Sequence, residues 1–303
     1  MRAVSGQIDG PIAVLDSGLG GLTVVDALRR ALPDEDLLYF GDTAHLPYGN
    51  KSASTVIRYV RQIIRFLLPR QPRHFVIACN TATALALPAI RAEFPELSIS
   101  GVIEPGARAA VAAAGAKPVP IIGVIATEAT IRSKAYEQAI MRRRSLAHVL
   151  LRPAPLLVPM IEEGRGADDP LVEQVLQQYL RGMILRHIDV LVLGCTHYPL
   201  IRGAIAKVLG ERVCLIDSAQ QCAQDVAQRL CRNGAAGQSS APAWSGSGSL
   251  RSFVTDDAWR FTTLASRFLG LKIDPPTLVE PGQLDATDAD AAAETAVGLR
   301  AIA

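Results

Sequence analysis

The stretches Val76–Thr81 (VIACNT) and Val192–His197 (VLGCTH) decide the fold of this 303-residue chain, because they repeat one pattern. In both, an apolar run ends in a small residue, a cysteine and small polar groups, and a helix-like segment follows. A short apolar run of this kind is typical of a buried parallel strand, and the polar residues mark its carboxyl end. The repeated strand–cysteine–helix unit therefore predicts an α/β architecture with two similar halves.

The two repeated cysteines, Cys79 and Cys195, are expected to face a ligand crevice. Ligands of open α/β sheets bind beyond the carboxyl ends of the strands, where backbone N–H groups and helix dipoles favour a thiolate. A lone cysteine in an apolar run is usually a packing residue. Here, however, Asn80, Thr81 and His197 follow the sulfurs, and such groups suit a polar ligand better than a core. Two matched thiols suggest acid–base chemistry on opposite faces of one small molecule.

The remaining composition narrows the class of protein. Cys214, Cys222 and Cys231 lack polar neighbours of this kind and are interpreted as structural, and an odd cysteine number without compact spacing favours a reducing compartment. The amino terminus has no signal-like apolar core and no apolar stretch approaches ~18 residues, so we expect a cytoplasmic protein with no membrane association. A net charge of +2 without a basic stripe gives no indication of nucleic-acid binding.

Short β-rich runs alternate with amphipathic segments along the chain, and continuously apolar strands of this kind predict mainly parallel sheets in the α/β class. The predicted strands are Ile12–Asp16, Asp36–Asp42, His74–Asn80, Ile99–Glu104, Pro120–Ala126, Ala147–Arg152, Asp189–Cys195 and Val213–Asp217. The predicted helices are Leu22–Leu32, Ser52–Leu68, Thr83–Glu93, Ala107–Ala114, Thr130–Ile140, Pro170–Arg186, Pro199–Leu209, Ala219–Arg232 and Ala258–Leu269.

The repeat also predicts how the chain is divided. Residues 1–103 together with 218–273 are expected to form the first α/β domain, and residues 104–217 the second. The two cysteines would then face each other across the cleft between the domains. The Gly/Ser-rich segment Gly234–Leu250 is interpreted as a low-complexity surface insertion or flexible loop, and residues 274–303 as a peripheral tail.

Two polar loops follow predicted strands. The segment Asp16–Gly21 (DSGLGG) forms a strand, glycine-rich turn and helix start, which exposes backbone N–H groups to an anion. It matches no nucleotide-binding motif, so a substrate carboxylate is the expected guest. Asp16 itself is either a capping residue for this turn or a catalytic group. The segment Gly41–Gly49 (GDTAHLPYG) is either a second site loop or a turn organised by its proline and glycine.

Five segments of the chain resemble the glutamate racemase family. They are Leu15–Val24, Phe40–Gly49, Ala78–Ala82, Val158–Gly164 and Gly194–Leu200. They occur in the family's order, and the resemblance covers the chain from about Pro11 to Gly270. Each is weak alone, and the set is highly specific. The resemblance implies a cofactor-independent enzyme that converts L-glutamate to D-glutamate for bacterial peptidoglycan. It also implies two α/β domains with pseudo-twofold symmetry, an active site between them, and commonly a homodimer.

The resemblance assigns roles to individual residues. It makes Cys79 and Cys195 the two catalytic acid/bases, with Asp16 assisting Cys79, and with His197, oriented by Glu162, assisting Cys195. The segment after Glu162 is one residue longer than is usual, so Glu163 competes with Glu162 for this role. The positions that match substrate-binding residues of the family are Ser17, Pro47, Tyr48, Gly49, Asn80, Thr81, Thr127, Thr130 and Thr196.

The residues support the same chemistry independently of the family. Racemisation interconverts mirror images of equal free energy, so one base on each face of the α-carbon suits it. A pyridoxal enzyme would need a lysine for its Schiff base, and the five lysines lie in predicted loops or helices rather than at a strand end. The sequence therefore favours a site without a cofactor. A thiol used in proton transfer works best when its pKa lies near the working pH.

Three alternatives are left open by the sequence. Cys79, Cys195 and His197 could together ligate zinc, which metal analysis of the purified protein would decide. Two-cysteine racemases acting on aspartate or hydantoins share the logic but match the flanking segments less well. Some glutamate racemases also bind and inhibit DNA gyrase, a non-enzymatic role that this sequence neither indicates nor excludes.

Overall fold

The computed structural model describes residues 10–231, 246–270, 273–280 and 282–285. The strands are β1 (Ile12–Asp16), β2 (Leu37–Gly41), β3 (His74–Ile77), β4 (Ile99–Gly101), β5 (Ile121–Ala126), β6 (His148–Pro153), β7 (Val190–Gly194), β8 (Cys214–Asp217), β9 (Leu250–Val254) and β10 (Thr277–Leu278). The helices are α1 (Leu22–Ala31), α2 (Ala53–Leu67), α3 (Asn80–Leu85), α4 (Leu87–Glu93), α5 (Ile103–Ala113), α6 (Glu128–Arg132), α7 (Ala135–Met141), α8 (Leu157–Glu162), α9 (Pro170–Leu185), α10 (Arg202–Leu209), α11 (Ser218–Cys231) and α12 (Ala258–Leu269).

The described strands form two parallel sheets. The first has six strands in the order β10-β9-β2-β1-β3-β4, and the second has four in the order β6-β5-β7-β8. Strands β1 and β7 are buried at every residue, as expected for parallel strands covered on both faces. The α/β class with parallel sheets is confirmed. β1, β3, β5 and β7 are inner strands, and residues that follow them, among them Ser17, Cys79, Thr127 and Cys195, line one cavity.

Helix α2 illustrates how the sequence pattern forms the layers. Ser52 caps the helix, its hydroxyl accepting the Thr55 N–H at 3.2 Å. The apolar residues at helical spacing on one face, including Val56, Val60 and Ile63, are buried against the first sheet in a cluster with Phe40. Helix α11 packs against both α1 and α5, which follow strands of the first sheet. The division into residues 1–103 plus 218–273 and 104–217 stays a proposal.

Two predicted helices are each divided in the structure. The predicted helix Thr83–Glu93 consists of α3 and α4, and Pro88 in the first turn of α4 explains the break, because proline cannot continue the preceding hydrogen-bond ladder. Helix α3 begins at Asn80, so Cys79 is its N-cap and the predicted strand ends early, at Ile77. The predicted helix Thr130–Ile140 is interrupted at Lys134, which has a positive φ of 56°.

The sequence analysis missed β9 and β10. Leu250, predicted to end a surface insertion, begins β9, which pairs with β2. Residues 234–245 of that insertion lie outside the described part. The tail from residue 274 is not purely peripheral in its described part. It contributes β10, and Val279 and Leu284 are buried in the cluster that contains Phe253. These strands are short or follow a polar segment, so their periodicity is weak.

The three remaining cysteines have different environments. Cys222 is fully buried, as expected for a packing residue. Cys214 is exposed at the start of β8, so the interpretation of it as a structural residue gains no support from packing. Cys231 ends α11, and its side chain lies outside the described part. In the described ranges, no helix is both long and apolar enough to cross a bilayer.

Candidate active site

One cavity, with a volume of about 370 Å³, lies at the carboxyl ends of the inner strands and is lined by both Cys79 and Cys195. The two sulfurs are nearly buried, each residue being 6% exposed. Asp16 and Thr130 lie behind the wall. The other predicted site residues all line the cavity, namely Ser17, Pro47, Tyr48, Gly49, Asn80, Thr81, Thr127, Glu162, Thr196 and His197.

Cys79 is placed by the turn from β3 into α3. Its Sγ accepts the backbone N–H of Ala82 at 3.4 Å, as an N-cap side chain does. Burial nevertheless raises the pKa of the Cys79 thiol to about 12, the nearby Asp16 carboxylate raises it further, and the hydrogen bond with Ser17 opposes both. The direction of the Cys79 pKa shift is therefore opposite to the expected acidification, since desolvation outweighs the short helix.

Asp16 ends β1 beside Cys79. Its Oδ2 accepts the Gly18 N–H at 3.0 Å, so it does cap the glycine-rich turn. Burial raises the pKa of this carboxyl group, and the charge of His197 and backbone hydrogen bonds oppose the rise. Its Oδ1 is buried and has no hydrogen-bond partner among the described residues. A carboxyl group with one satisfied and one free oxygen can both hold the turn and meet a ligand or a proton.

The glycine-rich turn approaches the second half of the molecule closely at Gly20. A Cβ atom at Gly20 would collide with the Thr196 hydroxyl and the His197 ring. In the same region the Thr23 hydroxyl donates to the Thr196 carbonyl at 2.9 Å. The glycine is thus required for a close approach of the two halves rather than for backbone freedom alone.

Cys195 follows β7 and has a different set of partners. His197 Nδ1 lies 3.9 Å from the Cys195 Sγ, and its Nε2 lies 3.0 Å from Glu162 Oε1. The structure therefore places Glu162, not Glu163, against the imidazole. Burial lowers the pKa of His197, but the hydrogen bonds with Cys195 and Glu162 more than offset this and raise it to about 10. A protonated His197 can donate a hydrogen bond from Nδ1 towards the Cys195 sulfur.

Hydroxyl and amide groups form the polar wall of the cavity. The Thr81 hydroxyl lies 2.8 Å from that of Thr127 and 3.1 Å from that of Thr130, and the latter two are 3.0 Å apart. The Tyr136 hydroxyl donates to Asn80 Oδ1 at 2.7 Å, and the buried Asn80 Nδ2 has no partner within the part of the chain that the structure describes. A buried N–H that lacks an acceptor costs about 1–3 kcal/mol, so it is poised for a ligand acceptor.

The Gly41–Gly49 loop is held by Asp42, which the sequence analysis did not single out. Its Oδ2 accepts the Tyr48 hydroxyl at 2.6 Å and its Oδ1 accepts the Thr255 hydroxyl at 2.9 Å. His45 Nδ1 lies 2.8 Å from the same carboxylate. Burial, followed by the charge of Asp42, raises the pKa of Tyr48 well above its ordinary value, so this side chain stays a neutral hydroxyl in the cavity wall.

Arg260 is a second residue that sequence reasoning missed. It lies in the first turn of α12, lines the cavity and places its guanidinium 3.7 Å from Glu162 Oε2. No local motif marks it, because the chain that follows β9 approaches the site only through the tertiary fold. Among the described residues, no lysine lines this cavity and no group of three His, Cys, Asp or Glu side chains is placed to hold a metal ion.

Comparisons with known proteins agree with this arrangement. Residues 19–226 match the model of the Asp/Glu/hydantoin racemase family. A glutamate racemase of Geobacter metallireducens is 45% identical over 262 residues, which is 86% of this chain and 93% of that protein.

Two solved structures are similar over most of their length. The glutamate racemase of Bacillus anthracis has a TM-score of 0.82 at 36% identity, covering 91% of this chain and 99% of its own. The Francisella tularensis glutamate racemase, solved with D-glutamate, has a TM-score of 0.80 at 35% identity and covers 91% and 98%. The expected resemblance is confirmed, and the chain belongs to the aspartate, glutamate and hydantoin racemase family of isomerases.

Proposed function

We propose that this protein racemises glutamate without a cofactor, using Cys79 and Cys195 as the two acid/bases. The observation that carries the proposal is the presence of two nearly buried thiols in one small cavity, each with its own acid–base partners. A single base would suffice for exchange on one face, whereas inversion needs a proton acceptor on one face of the α-carbon and a proton donor on the other. Relatives named glutamate racemase support glutamate as the substrate.

The reaction is written with its protons and electrons balanced. For L-glutamate, the Cys195 thiolate forms an S–H bond with the α-proton, the C–H bond breaks, and its electron pair stays on the α-carbon next to the carboxylate. The Cys79 thiol then donates its proton to the opposite face and becomes the thiolate. For D-glutamate the two sulfurs exchange roles. The net result is inversion with one thiolate and one thiol before and after each turnover.

The partners of the two sulfurs fit these roles. His197, whose pKa is raised to about 10, is protonated at neutral pH, and its Nδ1 lies 3.9 Å from the Cys195 sulfur. Cys79, whose pKa is raised to about 12, is a protonated thiol at neutral pH and can act as the donor. The positive amino group of a bound substrate beside Asp16 would lower the cost of a thiolate at Cys79.

The cavity also has groups suited to hold a dicarboxylate. The unpartnered Nδ2 of Asn80 can donate to a carboxylate, and the hydroxyls of Thr81 and Thr127 can do the same after a rotation. Ser17, at the start of the glycine-rich turn, and Tyr48 line the same space. Each such contact contributes about 0.5–3 kcal/mol, depending on charge.

The wider biological role is proposed on the family resemblance. It comprises supply of D-glutamate for peptidoglycan, a cytoplasmic location and assembly as a homodimer.

The direct test is circular dichroism of the extensively dialysed, metal-free protein with L-glutamate and, separately, D-glutamate. We expect the ellipticity of either enantiomer's solution to decay to zero, at the same rate as with protein that has not been dialysed. A strict requirement for pyridoxal phosphate or a divalent metal would contradict the proposal, as would turnover of aspartate or a hydantoin but not of glutamate.

A further inference from the structure

Helix α12 is anchored to the first sheet by one part of its surface. Phe261 is 1% exposed and stacks on Tyr39 of β2, with the ring centroids 5.8 Å apart. Leu264 and Ala265 are buried in the same core cluster. The helix start is also fixed, since the Asp257 carboxylate accepts the Arg260 N–H at 2.9 Å. Its position relative to the first sheet is therefore well determined by packing.

The same helix reaches across to the second half through a different set of side chains. Arg260 approaches Glu162, Arg267 donates a hydrogen bond to the Gly164 carbonyl, and the Phe268 ring meets the His197 ring edge-on with the centroids 6.1 Å apart. Positions 260, 267 and 268 lie on one side of a helix at a spacing of seven to eight residues. Three contacts from one helix face thus converge on the His197–Glu162 pair and the turn that follows it.

Glu162 needs such support because of where it lies. It is the last residue of the short helix α8, and Gly164, with a φ of 94°, turns the chain two residues later. A Cβ atom at Gly164 would occupy the position of the Arg267 guanidinium, so the glycine makes room for that contact. Glu162 uses Oε1 for His197 and presents Oε2 to Arg260. One oxygen is thus within hydrogen-bond distance of His197, and the other faces the Arg260 guanidinium in an ion pair.

We propose that Arg260 is a positioning residue for racemisation, holding Glu162 Oε2 so that Oε1 stays directed at His197 Nε2. The proposal rests on the proposed function for its kinetic test. The Arg260 side chain is 47% exposed whereas that of Glu162 is 11% exposed. The arginine therefore lies on the solvent side of a carboxylate that forms part of the cavity wall. The other role open to a cavity-lining arginine is attraction of the anionic substrate, and the two roles differ in their kinetics.

The kinetic test compares Arg260→Gln and Arg260→Lys with the wild-type protein in both directions. Loss of a group that orients a site residue lowers activity by about 10-fold or more, so Arg260→Gln should lower kcat about 10-fold with little change in KM. Lysine keeps the charge without the planar fork and should recover part of the loss. The matched control is Arg30→Gln, which breaks a 2.9 Å surface ion pair with Asp26 on α1 and should leave kcat unchanged.

A double-variant cycle makes the test specific to Glu162. If Arg260 acts through this carboxylate, adding Arg260→Gln to Glu162→Gln should cause no further loss of kcat beyond about 2-fold. Multiplicative losses would overturn the proposal, since they would show that Arg260 acts independently of Glu162. A rise in KM with unchanged kcat would also overturn it and would assign Arg260 to substrate attraction.

A measurement without turnover separates this inference from the proposed function. The hydrogen-bonded N–H proton of His197 should give a downfield NMR signal, assigned by its loss in His197→Asn. In Arg260→Gln its exchange with water should accelerate at least about 10-fold, because a free carboxylate leaves the hydrogen bond more often. An unchanged exchange rate would overturn the positioning role. Absence of racemisation by the wild-type protein would contradict the proposed function. The exchange rate of the His197 N–H proton would still decide whether Arg260 positions Glu162.

Discussion

A methyl group at Gly20 should disable the site while leaving the fold intact. The Cβ atom of Gly20→Ala would collide with the Thr196 hydroxyl and with Nδ1 of His197. Carbon needs about 3.5 Å from such atoms, so the His197 turn has to move by about 1 Å. That movement disturbs both the 3.9 Å approach to Cys195 and the 3.0 Å contact with Glu162.

The expected size of the effect follows from this displacement. A shift of about 1 Å in a reacting group can cost about 100-fold in rate, so kcat/KM should fall by about two orders of magnitude. Overpacking of this kind destabilises a protein by about 1–3 kcal/mol, which a chain of this size tolerates. Because the two enantiomers have equal free energies, kcat/KM must fall by the same factor in both directions.

The assay is racemisation followed by circular dichroism, with urea unfolding measured on the same samples. The control is Gly182→Ala in α9, where a Cβ atom meets no atom of the described residues within 4 Å. This variant should keep its activity and gain about 0.5–1 kcal/mol of stability, because alanine favours the helix. Wild-type kcat/KM in a folded Gly20→Ala protein would refute the reasoning. So would a loss of activity that is explained by unfolding alone.

Two further predictions concern the neighbours of the catalytic groups. Tyr136→Phe removes the 2.7 Å hydrogen bond to Asn80 Oδ1. It should lower the free energy of unfolding by about 1 kcal/mol and should also lower kcat/KM. Unchanged kinetics would show that Asn80 needs no such support. Because the pKa of His197 is raised from 6.5 to about 10, its contribution to stability is full below pH 6.5 and is lost as the pH rises to about 10. Glu162→Gln should therefore reduce the fall in urea midpoint between pH 6.5 and 9.5, and an equal fall in both proteins would contradict this sign.

The sequence was sufficient for the parts of the fold that are encoded locally. Strand β1 coincides with the predicted Ile12–Asp16, because it is a continuous apolar run that ends at a polar, glycine-rich turn. Helix α12 coincides with the predicted Ala258–Leu269, because its apolar residues keep helical spacing. Strand β10 has only two residues and depends on its pairing with β9, so no local signal could reveal it. The break in the predicted helix Thr83–Glu93 was readable from Pro88 but was not predicted.

The same distinction applies to the site. Cys79 and Cys195 were identified because their segments repeat, and both line the cavity. Arg260 was missed because its relation to the site comes from the packing of α12. The pKa of Cys79 is raised rather than lowered for a related reason, since burial depends on the whole fold while the helix N-terminus is visible in the sequence. Tertiary packing and burial, which the local sequence does not reveal, account for these two errors.

The central claim is that two thiols exchange the α-proton from opposite faces, and hydrogen exchange during turnover tests it most directly. Protonated L- or D-glutamate is converted in D₂O, and early product and remaining substrate are analysed by mass spectrometry. We predict one deuterium at the α-carbon of the product from either enantiomer and little in the remaining substrate. We also predict no racemisation by Cys79→Ala or Cys195→Ala. Product that keeps its original α-hydrogen, or substantial racemisation by either variant, would contradict the account.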